Sequence, residues 1–131
     1  MIKTATEKQN RQKDIEYLVA DSSELPFNEN YFDSVISTVS FHHYPDQSKS
    51  LREINRVLKP NGKFYLADHS FSYPPGLIYL MNPILNLFEG PIKINSKKKM
   101  KKKLEEQGFS VISAKNLALI TTLYISIKKT S

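Results

Sequence analysis

Two pairs of neighbouring polar residues are candidates for chemistry. His42 and His43 follow one apolar segment of strand length, and Asp68 and His69 close another. If both segments are parallel strands of one sheet, these side chains gather at one edge, where imidazole and carboxylate groups suit acid–base chemistry or a metal. Adjacent histidines point in different directions, so metal ligands would have to converge from loops. We therefore expect no metal site.

Asp21 is a second candidate, because it directly follows the apolar segment Ile15–Ala20. A carboxylate at the carboxyl end of a parallel strand is well placed to bind a ligand. The spacing of Asp21 and Glu24 also fits a capping box that opens a short helix. The sequence leaves both interpretations open.

Three predicted strands and one predicted helix position these residues. The strands cover Ile15–Ala20, Asp33–Val39 and Gly62–Ala67, which are rich in β-branched and aromatic residues. The helix, Asp46–Leu58, lies between the second and third strands, with Asp46 as its N-cap. Two strands joined by a crossover helix predict a parallel sheet that is covered on both faces.

The predicted helix is amphipathic. Its apolar face carries Leu51, Ile54, Val57 and Leu58, and its opposite face carries Lys49, Arg52 and Arg56. We expect Lys59–Gly62 to end the helix, because Pro60 cannot continue the hydrogen-bond ladder and the Asn-Gly pair tolerates a left-handed turn.

The composition excludes several classes of protein. A chain of 131 residues with 40% hydrophobic and 24% charged residues fits one globular domain. The net charge of +6 is local to Lys97–Lys103, since the other 13 basic residues balance 13 acidic ones. No aromatic residues interleave with these lysines, so nucleic-acid binding is not expected. The absence of cysteine, of a signal segment and of a membrane-spanning run predicts a soluble, cytoplasmic protein.

Four segments carry a resemblance to a known family. They are, in order, Asp21–Phe27, Tyr31–Val35, Phe41–His43 and Leu51–Gly62. Together they resemble class I S-adenosylmethionine-dependent methyltransferases of the branch similar to ubiquinone and menaquinone biosynthesis enzymes. The resemblance covers most of the chain and weakens beyond residue 70. It implies an α/β, Rossmann-like fold whose sheet is mostly parallel with an antiparallel C-terminal strand, and S-adenosylmethionine as cofactor.

The resemblance implies cofactor-binding roles for four residues. The Asp21 carboxylate would accept a hydrogen bond from the adenine amine, while the Ser22 backbone N–H donates to a ring nitrogen. Ser37 and Thr38 would shape the floor under the cofactor, although ordinary hydrogen bonding at a strand end suits them equally. No catalytic residue is assigned, and Leu25–Phe27 is expected to pack.

The resemblance also implies that strands one and two of the family fold are missing, with the GxGxG loop between them and the acidic residue after strand two. The four glycines, Gly62, Gly76, Gly90 and Gly108, are too far apart to form such a loop. The family strand order is 3-2-1-4-5-7-6, so the first strand would slide to give 3-4-5-7-6, or an exposed edge at Val35–Val39 would pair with another chain. We expect a homo-oligomer or a complementing chain at that edge.

We expect one partial domain over residues 1–131. Residues 1–14 would be a helix remnant, 15–69 the strand–helix core, 70–95 an apolar lid or insert, and 96–131 a Lys-rich helix with a terminal hairpin. The helix is predicted at Ser96–Gln107 with Met100 and Leu104 buried. The hairpin strands are predicted at Phe109–Ala114 and Leu119–Lys128.

Two functions follow. The chain is a methyltransferase homologue that acts on a small, apolar acceptor and needs the missing half of the site from elsewhere. Alternatively, it is a truncated, non-enzymatic remnant that serves as an oligomeric or partner-binding module.

Overall fold

The computed structural model describes residues 15–70, 95–118 and 121–130. The strands are β1 (Phe32–Thr38), β2 (Leu58–His69), β3 (Phe109–Asn116) and β4 (Thr121–Lys128). The helices are α1 (Gln47–Val57), α2 (Lys97–Glu106) and a short 3-10 helix at Phe41–His43. The predicted helix remnant at 1–14 and nearly all of the predicted insert at 70–95 lie outside the described residues.

The four described strands form one mixed sheet in the order β1-β2-β4-β3. β1 and β2 are parallel, while β4 is antiparallel to both β2 and β3. The strands predicted at Asp33–Val39 and Gly62–Ala67 and the predicted terminal hairpin are confirmed, although β2 begins earlier than predicted, at Leu58. This order corresponds to the 4-5-7-6 part of the expected sheet.

The predicted strand at Ile15–Ala20 is wrong. This segment has no regular secondary structure and is exposed along its length, with Val19 74% exposed. A strand needs a neighbour to pair its backbone groups, and no described strand offers one. The expected pairing of Ile15–Ala20 with β1 is therefore not formed. Only one of the strand pairings in the described sheet, β1 with β2, is parallel.

The outer edge of β1 has no partner among the described strands, because β1 pairs with β2 alone. The exposed edge expected at Val35–Val39 is thus present in this part of the chain. Ile36 is 69% exposed and Val39 is 50% exposed.

Both helices pack on one face of the sheet. The alternation of β2 directs Phe64 and Leu66 onto this face, where both are fully buried. The core consists of Phe41, Leu51, Ile54, Leu58, Phe64, Leu66, Met100, Leu104, Phe109 and Tyr124. On the other face Ile36, Tyr65 and Ile125 lie in register. Among the described residues, helices cover only one face of the sheet. The sequence analysis had predicted that both faces would be covered.

The helix boundaries follow the predicted local signals. The Asp46 carboxylate accepts a 2.9 Å hydrogen bond from the Lys49 backbone N–H at the start of α1. Asn61 has a φ of 63°, the left-handed conformation expected there, but it lies inside β2 where the register with β1 is irregular. At the start of α2 the Ser96 hydroxyl accepts from the Lys99 backbone N–H at 3.3 Å. Within the described residues, neither helix has the length and apolar character needed to cross a membrane.

The lysine-rich helix α2 buries Met100 and Leu104, as expected. Two of its lysines form ion pairs one turn apart, Lys101 with Glu105 at 3.9 Å and Lys102 with Glu106 at 3.7 Å. Such exposed pairs contribute a few tenths of a kcal/mol each.

Candidate functional site

The carboxyl ends of β1 and β2 lie side by side, because the two strands are parallel. Ser37 and Thr38 close β1, and Asp68 and His69 close β2. The sequence predicted that polar side chains would gather at this edge. This is where open α/β sheets generally bind ligands.

His42 and Asp68 form a buried pair at this edge. The Nδ1 atom of His42 lies 2.6 Å from Oδ1 of Asp68, and each side chain is only 2% exposed. The neighbouring Phe41 is fully buried and its carbonyl oxygen accepts from Nε2 of Gln47 at 3.2 Å. Burial of Phe41 therefore anchors the short helix that places His42 over the end of β2.

The three histidines cluster, as expected. The His42 ring centroid lies 4.0 Å from that of His43 and 4.8 Å from that of His69. Nδ1 of His69 is buried and has no hydrogen-bond partner in the described part of the chain. In residues 15–70, 95–118 and 121–130, no three potential ligating side chains are grouped so that they could hold a metal ion.

A strained backbone connects β1 to the short helix. Val39 has a φ of 47°, a left-handed conformation that β-branched residues seldom adopt. Its N–H donates to the Ala67 carbonyl oxygen at 2.7 Å. This bond holds the chain against β2 while its direction changes toward His42. Backbone strain of this kind often occurs at functional sites, and nothing in the sequence indicated it.

Hydroxyl groups of β4 lie behind Asp68. Thr122 faces Asp68 in the strand register and hydrogen-bonds to Ser70 and to the Asn116 side chain. Burial raises the pKa of the Tyr124 hydroxyl, and this effect exceeds the opposing influence of the Ser70 and Thr122 hydroxyls nearby. Among the described residues, none makes a hydrogen bond of ordinary geometry with the Tyr124 oxygen. The sequence analysis missed these residues, because it treated β4 only as a hairpin strand.

Asp21 lies in a tight turn and not in a capping box. Its Oδ1 accepts 2.7 Å hydrogen bonds from both the backbone N–H and the hydroxyl of Ser23. The Ser23 N–H, followed by its hydroxyl, keeps the pKa of Asp21 below its ordinary value. The Glu24 N–H donates to the Asp21 carbonyl oxygen at 3.0 Å, which closes the turn before a helix can begin.

The Asp21 turn is fastened to the first turn of α1, since the hydroxyls of Ser22 and Ser50 lie 3.0 Å apart. At the end of β1, Ser37 is buried with its hydroxyl 3.2 Å from that of Ser40, while Thr38 is exposed. The sequence-predicted residues therefore border the carboxyl edge. For Ser37, the sequence allowed either a ligand contact or an ordinary hydrogen bond at a strand end. In the structure Ser37 forms a local hydrogen bond of this kind.

An ion pair on α1 clamps the segment that follows the turn. Arg56 donates to Oε2 of Glu53 at 2.8 Å and to the carbonyl oxygens of Leu25 and Phe27. Glu53 in turn accepts from the Leu25 N–H at 2.9 Å. The Arg56 hydrogen bond lowers the pKa of Glu53 to about 2. Arg56 therefore makes specific contacts with the protein, although it lies on the polar face of α1. In the sequence, the Glu-x-x-Arg spacing of Glu53 and Arg56 could have indicated this ion pair.

The Leu25–Phe27 segment packs, as predicted. Leu25 lies against the core, and the Phe27 ring lies 4.8 Å from that of Phe32. A separate open groove lies at the amino ends of β1 and β2, where Asp33 and Lys59 pair at 2.7 Å. It is remote from the predicted residues.

The described residues fit the adenine part of S-adenosylmethionine. Both bonds from Ser23 use Oδ1 of Asp21, so Oδ2 is the oxygen that can accept from an adenine amine. The ribose and methionine parts have no matching glycine-rich loop in the sequence, since the four glycines are widely separated. The fit is therefore confined to one side of the cofactor.

Comparison with known proteins agrees with this fold. A family model described as a methyltransferase domain matches residues 1–66, half of the chain. The UbiE ubiquinone/menaquinone biosynthesis C-methyltransferase of Rickettsia felis is 31% identical over 140 residues, covering 90% of this chain and 56% of the relative. YafE of Escherichia coli strain K12, an uncharacterized protein, is 52% identical over 44 residues, covering 34% of this chain and 21% of YafE.

A solved structure extends the likeness to the whole chain. YcgJ of Bacillus subtilis superposes with a TM-score of 0.84 at 18% identity, covering 100% of this chain and 79% of YcgJ. At that identity the match supports the fold. The chain spans about a fifth to just over half the length of the two curated relatives. The family match over half of its residues shows that this chain belongs to the class I S-adenosylmethionine-dependent methyltransferases.

Proposed function

We propose that this chain takes part in S-adenosylmethionine-dependent methyl transfer to a small molecule and supplies the adenine side of the cofactor site. The observation that carries the proposal is the Asp21 turn, which Ser22 fastens to α1 at the carboxyl edge of the sheet. Family membership supports the reaction class. The name of the Rickettsia felis relative, a C-methyltransferase of quinone biosynthesis, supports an apolar acceptor.

In this proposal the residues of the chain bind the cofactor and orient it. Oδ2 of Asp21 accepts from the adenine amine, and the Ser22 N–H donates to the neighbouring ring nitrogen. The exposed Thr38 and the buried Ser37, at the end of β1, are proposed to shape the floor under the cofactor. When bound, the cofactor supplies an activated methyl group. The protein contributes mainly by positioning, which in well-aligned reactions lowers the barrier by about 7–11 kcal/mol.

The active form is an assembly in this proposal. The open edge of β1 can add a strand, because its backbone groups have no partner among the described strands. Ile36 and Val39 add exposed apolar surface to that edge. A second copy or a complementing chain bound there would extend the sheet toward the missing ribose and methionine contacts. A cytoplasmic location, expected from the absence of cysteine, is part of the same proposal.

The same surface supports the alternative function, a partner-binding module without catalysis. Residues 15–20 add further exposed apolar side chains, since Leu18 and Val19 are 52% and 74% exposed. Exposed apolar side chains that form a patch typically mark a protein interface.

Calorimetric titration with S-adenosylhomocysteine distinguishes the two functions. The wild-type chain should bind it, and Asp21→Ala should weaken binding roughly tenfold or more, the effect of one hydrogen bond to a charged group. Asp33→Ala is the matched control, since it removes an 84% exposed carboxylate from the opposite end of β1. Absence of binding by a wild-type chain that self-associates in light scattering would favour the module.

A further inference from the structure

We propose that the lysine-rich face of α2 binds the surface of an anionic lipid bilayer. Six of the seven residues at positions 97–103 are lysines, and four of these are exposed, namely Lys98, Lys99, Lys101 and Lys102. Clusters of about four to eight basic residues on an amphipathic helix are typical of proteins that bind acidic phospholipids. Such a surface acts independently of the proposed methyl transfer, because it does not require the cofactor.

The orientation of α2 directs these lysines away from the protein. Met100 is 2% exposed and Leu104 is fully buried, and both belong to the core. Because an α-helix has about 3.6 residues per turn, Lys98 and Lys102 fall on the side opposite Met100 and Leu104. Met100 and Leu104 are the two apolar residues of the helix, so α2 has no apolar side chain left to insert among lipid tails. The contact is therefore electrostatic and lies at the level of the headgroups.

The charges of α2 run against the dipole of the helix. Its first turn holds Lys97, Lys98 and Lys99 and no acidic residue, whereas Glu105 and Glu106 stand at its end. Both placements are unfavourable, since the start of a helix carries partial positive charge and its end partial negative charge. The fold gains no stability from this order of charges. An anionic partner outside the fold gives the lysines of the first turn a role.

Ion pairs within the chain neutralise little of this charge. The two pairs that α2 forms with its own glutamates are 3.9 Å and 3.7 Å long, against 2.7 Å for the pair of Lys59 with Asp33. In both, lysine precedes glutamate by one turn, which is the weaker of the two orders. In the described part of the chain, no ion pair includes Lys97, Lys98 or Lys99. These ammonium groups can therefore meet an external negative charge.

The residue types of α2 favour a bilayer over a nucleic acid. The helix has no arginine, whose planar guanidinium binds phosphate groups in a fixed geometry, and no aromatic residue on which a base could stack. Lysine carries a compact charge on a flexible stem, which suits the diffuse negative charge of a lipid surface. The cytoplasmic leaflet of membranes carries such charge. A bilayer thus complements both the sign and the spread of the lysines.

Co-sedimentation with vesicles tests this surface. We expect the wild type to bind vesicles of equal parts phosphatidylcholine and phosphatidylglycerol, and not to bind vesicles of phosphatidylcholine alone. Lys98→Gln combined with Lys99→Gln should weaken binding roughly thirtyfold, about fivefold for each lysine. Binding should also weaken as salt is added, because the Debye length shortens from about 10 Å at 0.1 M to about 3 Å at 1 M. Both substitutions remove exposed charge from the unfavourable end of the helix, so they should leave the chain folded.

Lys63→Gln combined with Lys115→Gln is the matched control. Both lysines are exposed, and they lie in register with Ile127 and Leu123, on the face of the sheet opposite the helices. This variant loses the same charge and should bind anionic vesicles about as the wild type does.

Three results would overturn the proposal. They are equal losses in the two double variants, which would mean that net charge alone drives binding, a wild type that does not distinguish the two kinds of vesicle, and tighter binding to a DNA duplex than to anionic vesicles. None of these measurements depends on whether the chain binds S-adenosylhomocysteine, so the bilayer surface and the proposed methyl transfer can fail separately.

Discussion

The side chain of Asn55 in α1 donates a 3.2 Å hydrogen bond to the carbonyl oxygen of Gly108, the residue that ends α2. The same Nδ2 atom donates to the Gln107 carbonyl oxygen at 3.0 Å. One side chain thus satisfies the last carbonyl groups of a helix more than 50 residues away. This contact ties the C-terminal unit of the fold to the helix that supports the candidate site.

Replacement of Gly108 by alanine should therefore destabilise the chain by about 1–2 kcal/mol. Gly108 has a φ of 82°, and an added Cβ would lie 3.1 Å from Nδ2 of Asn55. In an Asn55→Ala background the crowding disappears and only the backbone cost remains. Urea denaturation of both single variants and of the double variant gives the free energy of interaction between positions 55 and 108. Losses that add within about 0.5 kcal/mol would show that the Cβ is not crowded.

Glu53 makes the stability of the chain depend on pH. Its pKa is about 2 in the folded chain, against 4.5 for an unperturbed group. A lowered folded-state pKa means that the stabilisation is complete above pH 4.5 and is lost as the pH falls toward 2. Because Arg56 is 36% exposed, solvent screening reduces the effect to the order of 1 kcal/mol.

Glu53→Gln should remove this component, so that the unfolding free energy falls less steeply between pH 5 and pH 2 than it does in the wild type. Glu105→Gln is the control, because Glu105 belongs to an exposed 3.9 Å pair on α2. Thermal melts across the pH range measure the difference. Identical slopes for wild type and Glu53→Gln would show that the clamp on Leu25–Phe27 does not stabilise the fold.

Local signals in the sequence predicted the elements that depend on local interactions. Asp46 and Ser96 cap their helices, and Gly108 ends α2, because each acts on backbone groups within one turn. The meeting of His42 with Asp68 was also foreseeable, since it follows from two parallel strands ending at one edge. Neither prediction requires knowledge of a distant partner.

The failures involve partners that the sequence does not reveal. Ile15–Ala20 has the composition and length of a strand, yet a strand exists only where another strand pairs with it. Arg56 falls on the polar face of its helix, but its guanidinium donates hydrogen bonds to the carbonyl oxygens of Leu25 and Phe27, 31 and 29 residues earlier. Such contacts depend on the assembled fold.

Val39 offers a test of the strained turn. In regular structure alanine is more stable than glycine by about 0.5–1 kcal/mol. At Val39, where φ is 47°, we expect the reverse order, with Val39→Gly more stable than Val39→Ala by about 1 kcal/mol. The comparison is independent of the burial lost from valine, since both variants lose it. The same two substitutions at Val35, within β1, should show the ordinary order in chemical denaturation. Alanine more stable than glycine at both positions would mean that the turn is not strained.

The open edge of β1 makes a prediction about assembly. Ile36→Lys places a charge in the middle of this edge, and charged side chains on edge strands oppose pairing with another strand. The change should cost little folding stability, because Ile36 is already 69% exposed. We expect the wild type to associate and Ile36→Lys to shift toward the monomer in size-exclusion chromatography with light scattering. Ile112→Lys is the matched control, since Ile112 is 59% exposed on β3, at the opposite side of the sheet. A wild type that stays monomeric at high concentration, or association abolished by Ile112→Lys and not by Ile36→Lys, would exclude β1 as the site of assembly.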